Sequence, residues 1–347
     1  MVDFSDYHYV PILGVRPSEM TALEELRPAD QAGILPLIVL RPWATANHFE
    51  SVLARIEAAR GNRPIIADIS SEDFDLLRPV HHTIDSLRDP TNGYANYCRL
   101  VEENENFVPI LQIASPREIA RQAGRLMQLE RGCVVRLTEP TFRFSREIAA
   151  IMSNAPDDSK IHFIIDFERQ SRDILARAAG AIGIAEGVRS ELPNSFISVS
   201  ASSFPDSFVG ITRQEIFERR FFDEVVRQIG NRHVIYSDRG SVRAEAMGGG
   251  GQPAPRIDNA LPTNWQFFRI DEPDDRDSGY QQAATDAVAS PDWSDLGIWG
   301  TEQIAQTAAG RATIGSPARS TAVRINIHLH RQSNFDAPPI GEDDWSD

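Results

Sequence analysis

Four carboxylates are the first candidates for chemistry, because each follows a short apolar run that is typical of a buried strand. They are Asp68, Asp166, Glu168 and Asp238. Asp166 and Glu168 are two positions apart, so an extended strand would place both side chains on one face. Three or four such carboxylates could hold Mg²⁺ or Mn²⁺, hard cations that prefer oxygen ligands and activate water against a phosphoryl group. We therefore predict these residues as catalytic, with helix capping or pairing with arginine as the structural alternative.

Arginines form the second set of candidates. Four of them lie within or just after apolar runs: Arg16, Arg41, Arg136 and Arg269. Arg136 lies inside its run, and a charged group that is buried there needs a partner. It either pairs with Asp68 or Asp166 in a structural role, or faces the open end of the strands and clamps a phosphate or carboxylate. Both alternatives stay open, and we predict Arg41, Arg136 and Arg269 as ligand-binding residues.

Hydroxyl groups form the third set. Ser198, Ser200 and Ser202 alternate along one apolar run, so they share a face of the predicted strand. Hydroxyls at the end of a strand can bind phosphate, and for this reason we predict Ser202 as a ligand-binding residue. The structural alternative is that small serine side chains fill a crowded interior. The sequence has no Gly-x-Ser-x-Gly motif, which disfavours a nucleophilic serine.

A regular repeat of apolar runs indicates how these residues are positioned. Eight runs recur along the chain, at residues 9–13, 34–40, 64–67, 107–111, 133–135, 161–165, 196–199 and 233–236. Stretches with helical patterning lie between most of them. Strands that alternate with helices predict an α/β fold, and eight such strands predict a closed (β/α)8, TIM-barrel-like sheet. Because such barrels carry their chemistry at the carboxyl ends of the strands, we expect the candidate residues at one open face.

The chain divides into four predicted segments. Residues 1–245 form the barrel, 246–262 a flexible loop rich in Gly and Pro, 263–335 a C-terminal α+β extension packed on the barrel, and 336–347 an acidic tail. Residues 264–270 are predicted as a strand. Residues 322–330 alternate polar and apolar with period two, which predicts a half-exposed strand. His328 and His330 would then share one face, as a solvent-facing pair or as metal ligands.

Composition argues against several classes of function. The net charge of −15 over 347 residues argues against bulk nucleic-acid binding and against binding to anionic membranes, because both require a basic surface. No apolar run approaches the roughly 20 residues that span a bilayer, and the N-terminus does not resemble a signal peptide. Cys98 and Cys133 make neither a disulfide framework nor a zinc site. We expect a cytoplasmic protein without a membrane partner.

Short motifs spread along the chain carry a resemblance to a known family. They are Tyr9-Val-Pro-Ile-Leu13, Ala22-Leu-Glu-Glu-Leu26, Leu35-Pro-Leu37, Phe107-Val-Pro-Ile-Leu111, Ile165-Asp166, Ser202-Ser-Phe-Pro205, Ser237-Asp238, Phe268-Arg269, Trp299-Gly300, and Asn326 with His328. The chain resembles the beta family of bacterial and phage proteins, which we associate with the beta protein of phage T4. The resemblance implies a barrel-like fold and a phage, mobile-element or defence-like setting. It supplies no reaction.

The chain departs from the pattern of that family at two places. Arg239 follows the eighth run where the family usually has an aromatic residue. Ser320 stands where a Trp is expected, and His328 and His330 are separated where the family tends to carry a His-His pair. Any role that the resemblance would assign to adjacent histidines is therefore not transferred to this chain.

Three functions remain compatible with these observations. The first is a polar strand-end pocket that binds an anionic small molecule or nucleotide and, with Mg²⁺ or Mn²⁺, hydrolyses a phosphoester. The second is a non-catalytic protein-interaction module in a phage-conflict or defence complex, whose partner is encoded by a neighbouring gene. The third is a structural protein of a phage or mobile element. The sequence leaves open whether the protein is an enzyme.

Overall fold

Eight parallel strands lie in the described part of the chain, which in this computed structural model is residues 2–170, 172–242 and 253–335. They are β1 Tyr9–Gly14, β2 Leu37–Leu40, β3 Ile65–Ile69, β4 Phe107–Pro109, β5 Cys133–Leu137, β6 Ile161–Arg169, β7 Phe196–Ser202 and, after a short antiparallel β8 at Arg213–Glu215, β9 Tyr236–Asp238. Each of the eight predicted runs overlaps one of them. Every residue of β1, β3 and β7 is buried, which explains why the runs at β1 and β3 are continuously apolar instead of alternating.

The parallel strands form two sheets. One has five strands in the order β4-β3-β2-β1-β9, and the other has three in the order β5-β6-β7. Isolated parallel bridges pair Ile110 with Val134, next to β4 and β5, and Ile197 with Val234, between β7 and the approach to β9. Among the described residues neither sheet closes on itself. The predicted (β/α)8 barrel is therefore confirmed only as an α/β fold with parallel sheets.

Helices follow most of the parallel strands and cover the sheets. They are α1 Pro17–Glu24, α2 Pro28–Ala32, α3 Glu50–Arg60, α4 Pro79–Leu87, α5 Thr91–Glu103, α6 Pro116–Met127, α7 Ser145–Met152, α8 Ala178–Glu191 and α9 Phe217–Ile229. Four of these helices begin with proline, whose missing N–H costs nothing in a first turn. Neighbouring helices such as α5 and α6, or α7 and α8, pack side by side, as α/β units require.

The C-terminal extension has its own small sheet and its own apolar core. Strand β11 Asn264–Arg269 pairs antiparallel with β10 Arg256–Ala260 on one side and with β8 on the other. Helices α10 Arg276–Val288, α11 Trp299–Ala308 and α12 Pro317–Ser333 pack around this sheet. The strand predicted at residues 264–270 is confirmed. The flexible loop predicted over 246–262 is wrong where β10 lies, because Ile257 and Ala260 pack in the core of the extension. Residues 246–252 and the predicted acidic tail at 336–347 lie outside the described residues.

The half-exposed strand predicted over residues 322–330 is wrong, because this segment is the central part of helix α12. Its polar and apolar residues are buried alike, so their alternation carries no information about exposure. Asn326 donates to the carbonyl oxygen of Ala22 at 3.0 Å and accepts from the N–H of Gly300 at 3.0 Å. The signals for a helix were Ser316, whose side chain caps the first turn, and Pro317 directly after it.

Candidate functional site

A polar cavity of about 670 Å³ lies where the loops after several parallel strands meet, and we call it the strand-end cavity. Its charged lining residues are Arg16, Glu19, Arg41, Glu72, Asp73, Arg136, Glu168 and Arg239. They come from β5, β6, α1 and the segments after β1, β2, β3 and β9. The parallel sheets therefore bring chain-distant charges to one opening. Of the predicted site residues, Arg41, Arg136 and Glu168 line it.

Arg136 lies at the centre of the charge network. Its guanidinium contacts Asp68 Oδ2 at 2.8 Å and Asp166 Oδ2 at 2.7 Å, and its side chain is 14 % exposed. The two carboxylates thus lie on either side of a cation supplied by the protein itself. The sequence left open whether Arg136 pairs with these carboxylates or faces the opening. The structure places it in both positions, because it pairs with them and lines the cavity.

Arg239 supplies a second guanidinium to Asp166. Its Nη2 lies 2.6 Å from Asp166 Oδ2, and its side chain is 10 % exposed. Burial opposes ionisation of Asp166, but Arg239 and Arg136 outweigh this effect and lower the pKa of that carboxyl below its ordinary value. From sequence alone, Arg239 stands out only as a departure from the family pattern. Its position directly after the eighth parallel strand was the signal that could have found it.

Glu168 extends the network toward solvent. Its Oε1 lies 3.6 Å from Nη2 of both Arg136 and Arg239, and its side chain is 48 % exposed. Its backbone has a φ of 56°, in the left-handed region that glycine favours, at an irregularity in the pairing of β6 with β7. A non-glycine residue held in that region is strained, and strain of this kind clusters at binding sites. The irregular turn places the carboxylate against both guanidinium groups.

A second pair of arginines forms the opposite part of the lining. Arg41 holds Glu72 through two hydrogen bonds of 3.0 and 2.8 Å, and Arg16 lies 3.5 Å from the same carboxylate. Arg16 also contacts Glu19 at 3.3 Å, and Glu19 accepts from the N–H of Gly14 at 2.5 Å. Burial raises the pKa of Glu19, an effect that Arg16 partly offsets. Glu72 is 43 % exposed, so each arginine pair is bridged by one accessible carboxylate.

Asp238 is not brought to the strand-end cavity. It is buried at the end of β9, where it accepts hydrogen bonds from the Tyr9 hydroxyl at 2.5 Å and the Tyr236 hydroxyl at 2.9 Å. Nε2 of His328, on α12, lies 2.7 Å from its Oδ2. Burial opposes ionisation of Asp238, but His328, the Tyr9 hydroxyl and the N–H of Gly240 together outweigh this effect and lower the pKa of the carboxyl. These contacts join the last helix to the first and last parallel strands.

Two predicted ligand-binding residues also lie outside the strand-end cavity. The hydroxyl of Ser202 is buried and donates to the carbonyl oxygen of Val242 at 2.6 Å, so it holds a segment of the rim in place. Arg269 lies on β11, pairs with Asp271 at 2.6 Å and lines a separate cavity. The charged lining residues that the sequence did not single out as site residues are Glu19, Glu72, Asp73 and Arg239.

The two buried carboxylates of the network, Asp68 and Asp166, are already paired with cations of the protein itself. Two guanidinium groups converge on Asp166, and one of them also occupies Asp68. Residues 2–170, 172–242 and 253–335 contain no group of three or more His, Cys, Asp or Glu side chains placed to hold a metal. A site for Mg²⁺ or Mn²⁺ therefore stays a prediction from sequence.

Comparison with known families gives a full-length match. The family model described as Beta protein matches residues 9–334. The chain belongs to the beta protein family. It is 30 % identical over 345 residues to "Protein beta" of Enterobacteria phage P4, which covers 95 % of this beta-family chain and 94 % of the phage protein. The phage of this relative is P4, whereas our sequence-based attribution of the family was to phage T4.

Comparison with solved structures gives only remote likenesses. The carboxyl transferase domain of Rhizobium etli pyruvate carboxylase with 3-hydroxypyruvate is 10 % identical at a TM-score of 0.35, over 94 % of this beta-family chain. The chain spans about half the length of that structure, 48 %. The complete multifunctional enzyme gives a TM-score of 0.36 at 10 % identity, over 95 % of this chain and 28 % of its own. At such scores neither likeness supports an argument about fold or activity. None of the described helices is long and apolar enough to span a membrane.

Proposed function

We propose that this beta-family protein binds a small anionic ligand, carrying phosphate or carboxylate groups, in the strand-end cavity. The observation that carries the proposal is the convergence of Arg16, Arg41, Arg136 and Arg239 on one cavity. Guanidinium groups bind phosphate and carboxylate through paired, charge-assisted hydrogen bonds. A cavity of about 670 Å³ is within the range of small-molecule sites.

The two accessible carboxylates indicate how a ligand would enter. Glu72 bridges Arg41 and Arg16, and Glu168 lies against Arg136 and Arg239. Each thus occupies the position that an anionic group of a ligand would take. Ion pairs that are this exposed contribute about 1 kcal/mol or less, so a ligand displaces them at low cost. The buried partners Asp68 and Asp166 stay in place and hold Arg136 and Arg239 in position.

We further propose that the two parallel sheets are the halves of one TIM-barrel-like fold. The bridges at both edges of the three-stranded sheet support this, because they connect β4 to β5 and β7 to β9. Hydrogen bonds join Leu111 to Val134 at 2.8 Å and Ile197 to the segment before β9 at 2.9 and 3.0 Å. In such folds the carboxyl ends of the strands carry the binding site, which is where the four arginines lie.

The test is isothermal titration calorimetry with pyrophosphate, a small ligand with two anionic groups. We expect Arg41→Gln to weaken binding about tenfold, because it removes two charge-assisted hydrogen bonds. Arg220→Gln is the matched control, since Arg220 is an exposed arginine of α9 that pairs with Glu215 away from the cavity. Equal binding by both variants and the wild type, or no binding by any of them, would contradict the proposal.

Two further titrations test the finer predictions from sequence. Binding of Mg²⁺ or Mn²⁺ alone, lost in Asp68→Ala and Asp166→Ala variants that remain folded, would support the predicted metal site. Release of p-nitrophenol from p-nitrophenyl phosphate in the presence of that metal would support phosphoester hydrolysis. Binding of pyrophosphate without metal and without turnover would leave the protein a ligand-binding module, which we place in phage or mobile-element biology because of its family.

A non-catalytic protein-interaction module is the second candidate, and one observation favours it. Leu77 and Val209 are the most exposed large hydrophobic residues among those described, at 80 % and 75 %. They lie in the loops that follow β3 and β7, on the side of the strand-end cavity. Co-purification with the product of a neighbouring gene is the test. Loss of the partner in Leu77→Ser and its retention in Arg41→Gln would favour this function over ligand binding.

A further inference from the structure

A second cavity, of about 590 Å³, lies between the loop after β7 and the C-terminal extension. We call it the extension cavity. Arg16 and Val242 line both this cavity and the strand-end cavity, so the two are neighbours that share part of a wall. The ion pairs described for the strand-end cavity do not extend to the other residues of this second cavity. Its lining is also different in chemical character.

The arginines of the extension cavity outnumber its acids. Its lining includes Arg16, Arg256, Arg269 and Arg324, with Asp206 as the acidic residue among the described lining residues. Asp258, which is fully buried, holds Arg256 through two hydrogen bonds of 2.5 and 2.9 Å and Arg324 through one of 2.6 Å. One buried carboxylate thus fixes two guanidinium groups in position. The described lining thus has four arginines and one acid, in a protein whose net charge is −15.

Aromatic rings form the rest of the wall. The guanidinium carbon of Arg256 lies 3.3 Å from the ring centroid of Phe208, and that of Arg324 lies 4.0 Å from that of Phe204. The two phenylalanine rings are 5.6 Å apart, centroid to centroid. Flat guanidinium and phenyl surfaces are what a planar aromatic ring stacks on. The strand-end cavity, by contrast, is lined mostly by charged and hydroxyl side chains.

We infer that the extension cavity binds the base of a nucleotide whose phosphate occupies the strand-end cavity. The inference rests on the proposed function, because it requires that the anionic group of the ligand binds in the strand-end cavity. A nucleotide has a planar ring at one end and an anionic group at the other, which matches a stacking cavity beside a guanidinium-lined one. Arg16 belongs to both and lies where the two parts of the ligand meet.

The experiment compares three ligands by isothermal titration calorimetry: inorganic phosphate, ribose 5-phosphate and adenosine monophosphate. In the wild type we expect adenosine monophosphate to bind about tenfold more tightly than ribose 5-phosphate, the order that stacking of one base contributes. Phe208→Leu should reduce this advantage to about threefold or less and leave the binding of ribose 5-phosphate unchanged. Phe222→Leu is the matched control, since Phe222 is a half-buried phenylalanine of α9 outside both cavities. It should retain the full advantage.

Each outcome separates the inference from the function on which it rests. Equal affinities for ribose 5-phosphate and adenosine monophosphate would overturn the inference and keep the proposed function. Binding of none of the three ligands would overturn both. A Phe208→Leu variant that weakens all three ligands equally would also overturn the inference, because Phe208 would then act through the fold. If thermal unfolding shows that this variant is not folded, Arg269→Gln replaces it, with an expected loss of about threefold for adenosine monophosphate alone.

Discussion

Asp166 and Asp238 lie near the carboxyl ends of two parallel strands, and both are buried with lowered pKa values. Their surroundings are nevertheless opposite. Asp166 is held by two guanidinium groups that line a cavity, whereas Asp238 is held by two tyrosines and His328 within the packed interior. The same residue type at equivalent places thus holds the arginines of a cavity in one case and attaches a helix in the other. The partners, and not the carboxylate, make the difference.

The largest effect is expected from removing the carboxylate of the interior network. Asp238→Ala leaves His328, Tyr9 and Tyr236 without their buried partner, which should cost about 3–5 kcal/mol in the free energy of unfolding. Urea denaturation measures this loss. Asp271→Ala, which breaks the exposed pair with Arg269, should cost about 1 kcal/mol or less. Similar losses for the two variants would remove the distinction between a structural and a surface carboxylate.

A third buried carboxylate, Glu218 on α9, sharpens the comparison through pH. It contacts the backbone N–H and hydroxyl of Ser203, and burial raises its pKa to about 7. Because its folded pKa exceeds its unfolded value, Glu218 should destabilise the protein increasingly from about pH 4.5 to about pH 7 and by a constant amount above that. Glu218→Gln should remove this loss, roughly 3 kcal/mol at pH 8. Urea denaturation at pH 5 and pH 8 measures this effect. The free energy of unfolding should differ less between the two pH values in Glu218→Gln than in the wild type.

The opposite dependence is expected for Asp166 and Asp238. Their lowered pKa values stabilise the fold above the ordinary pKa of an aspartate, and this contribution is lost as the pH falls through the folded values. Wild-type stability should therefore fall below about pH 4. Asp238→Asn should flatten that acid limb in urea denaturation, while Asp271→Asn, on the surface, should leave its slope unchanged. An unchanged acid limb in Asp238→Asn would contradict the assigned ionisation.

A moderate loss of stability is expected when one of the two arginines that contact Asp166 is replaced. Arg239→Gln leaves Asp166 paired with Arg136, so the loss of stability should be about 1–2 kcal/mol. Pyrophosphate binding should weaken about tenfold. Calorimetry measures the loss of affinity and urea denaturation the loss of stability. Asp238→Ala should show the opposite pattern, with a large loss of stability and a small loss of affinity. A variant that loses stability without losing affinity would place Arg239 with the structural residues.

The smallest effect on stability is expected from Glu72→Gln. The Glu72 carboxylate is half-exposed, so its ion pairs contribute within about 0.5 kcal/mol. The affinity for pyrophosphate should nevertheless increase several-fold, because Arg41 and Arg16 no longer bind an internal competitor. Asp73→Asn, which changes the neighbouring lining residue, is the control. Weaker binding by Glu72→Gln would mean that the carboxylate positions the arginines instead of occupying their place.

A short stretch of sequence is enough to predict the parallel strands, because most of their residues are buried. The runs at β1 and β3 are apolar without interruption, and this is visible in a short window. Helix α12 could not be predicted in this way, because its buried polar residues pair with residues that are distant in the sequence. Arg324, for example, pairs with Asp258, 66 positions earlier in the chain. A window of nine residues contains no trace of such a partner.

The candidate site divides in the same way. Pairing of Arg136 with Asp68 or Asp166 was one of two alternatives that strand-end positions allow, and the structure contains it. Glu72 could not be found from sequence, since it lies in a loop without periodicity and acquires its role through Arg41, 31 positions away. Charged residues at strand ends can thus be predicted as candidates from the sequence. Which of them form ion pairs with each other depends on how the loops fold over the opening, and this is not visible in the sequence.

The contacts of helix α12 also constrain how this protein is made. Asn326 bonds to Ala22, and His330 lies 2.9 Å from Asp30, so the last described helix completes the packing of the first two. On a ribosome the N-terminal third of the chain emerges long before these partners exist, and its helices α1 and α2 must wait with one side unpacked. A chain that stops before residue 326 therefore lacks the partners that cover these two helices in the full protein.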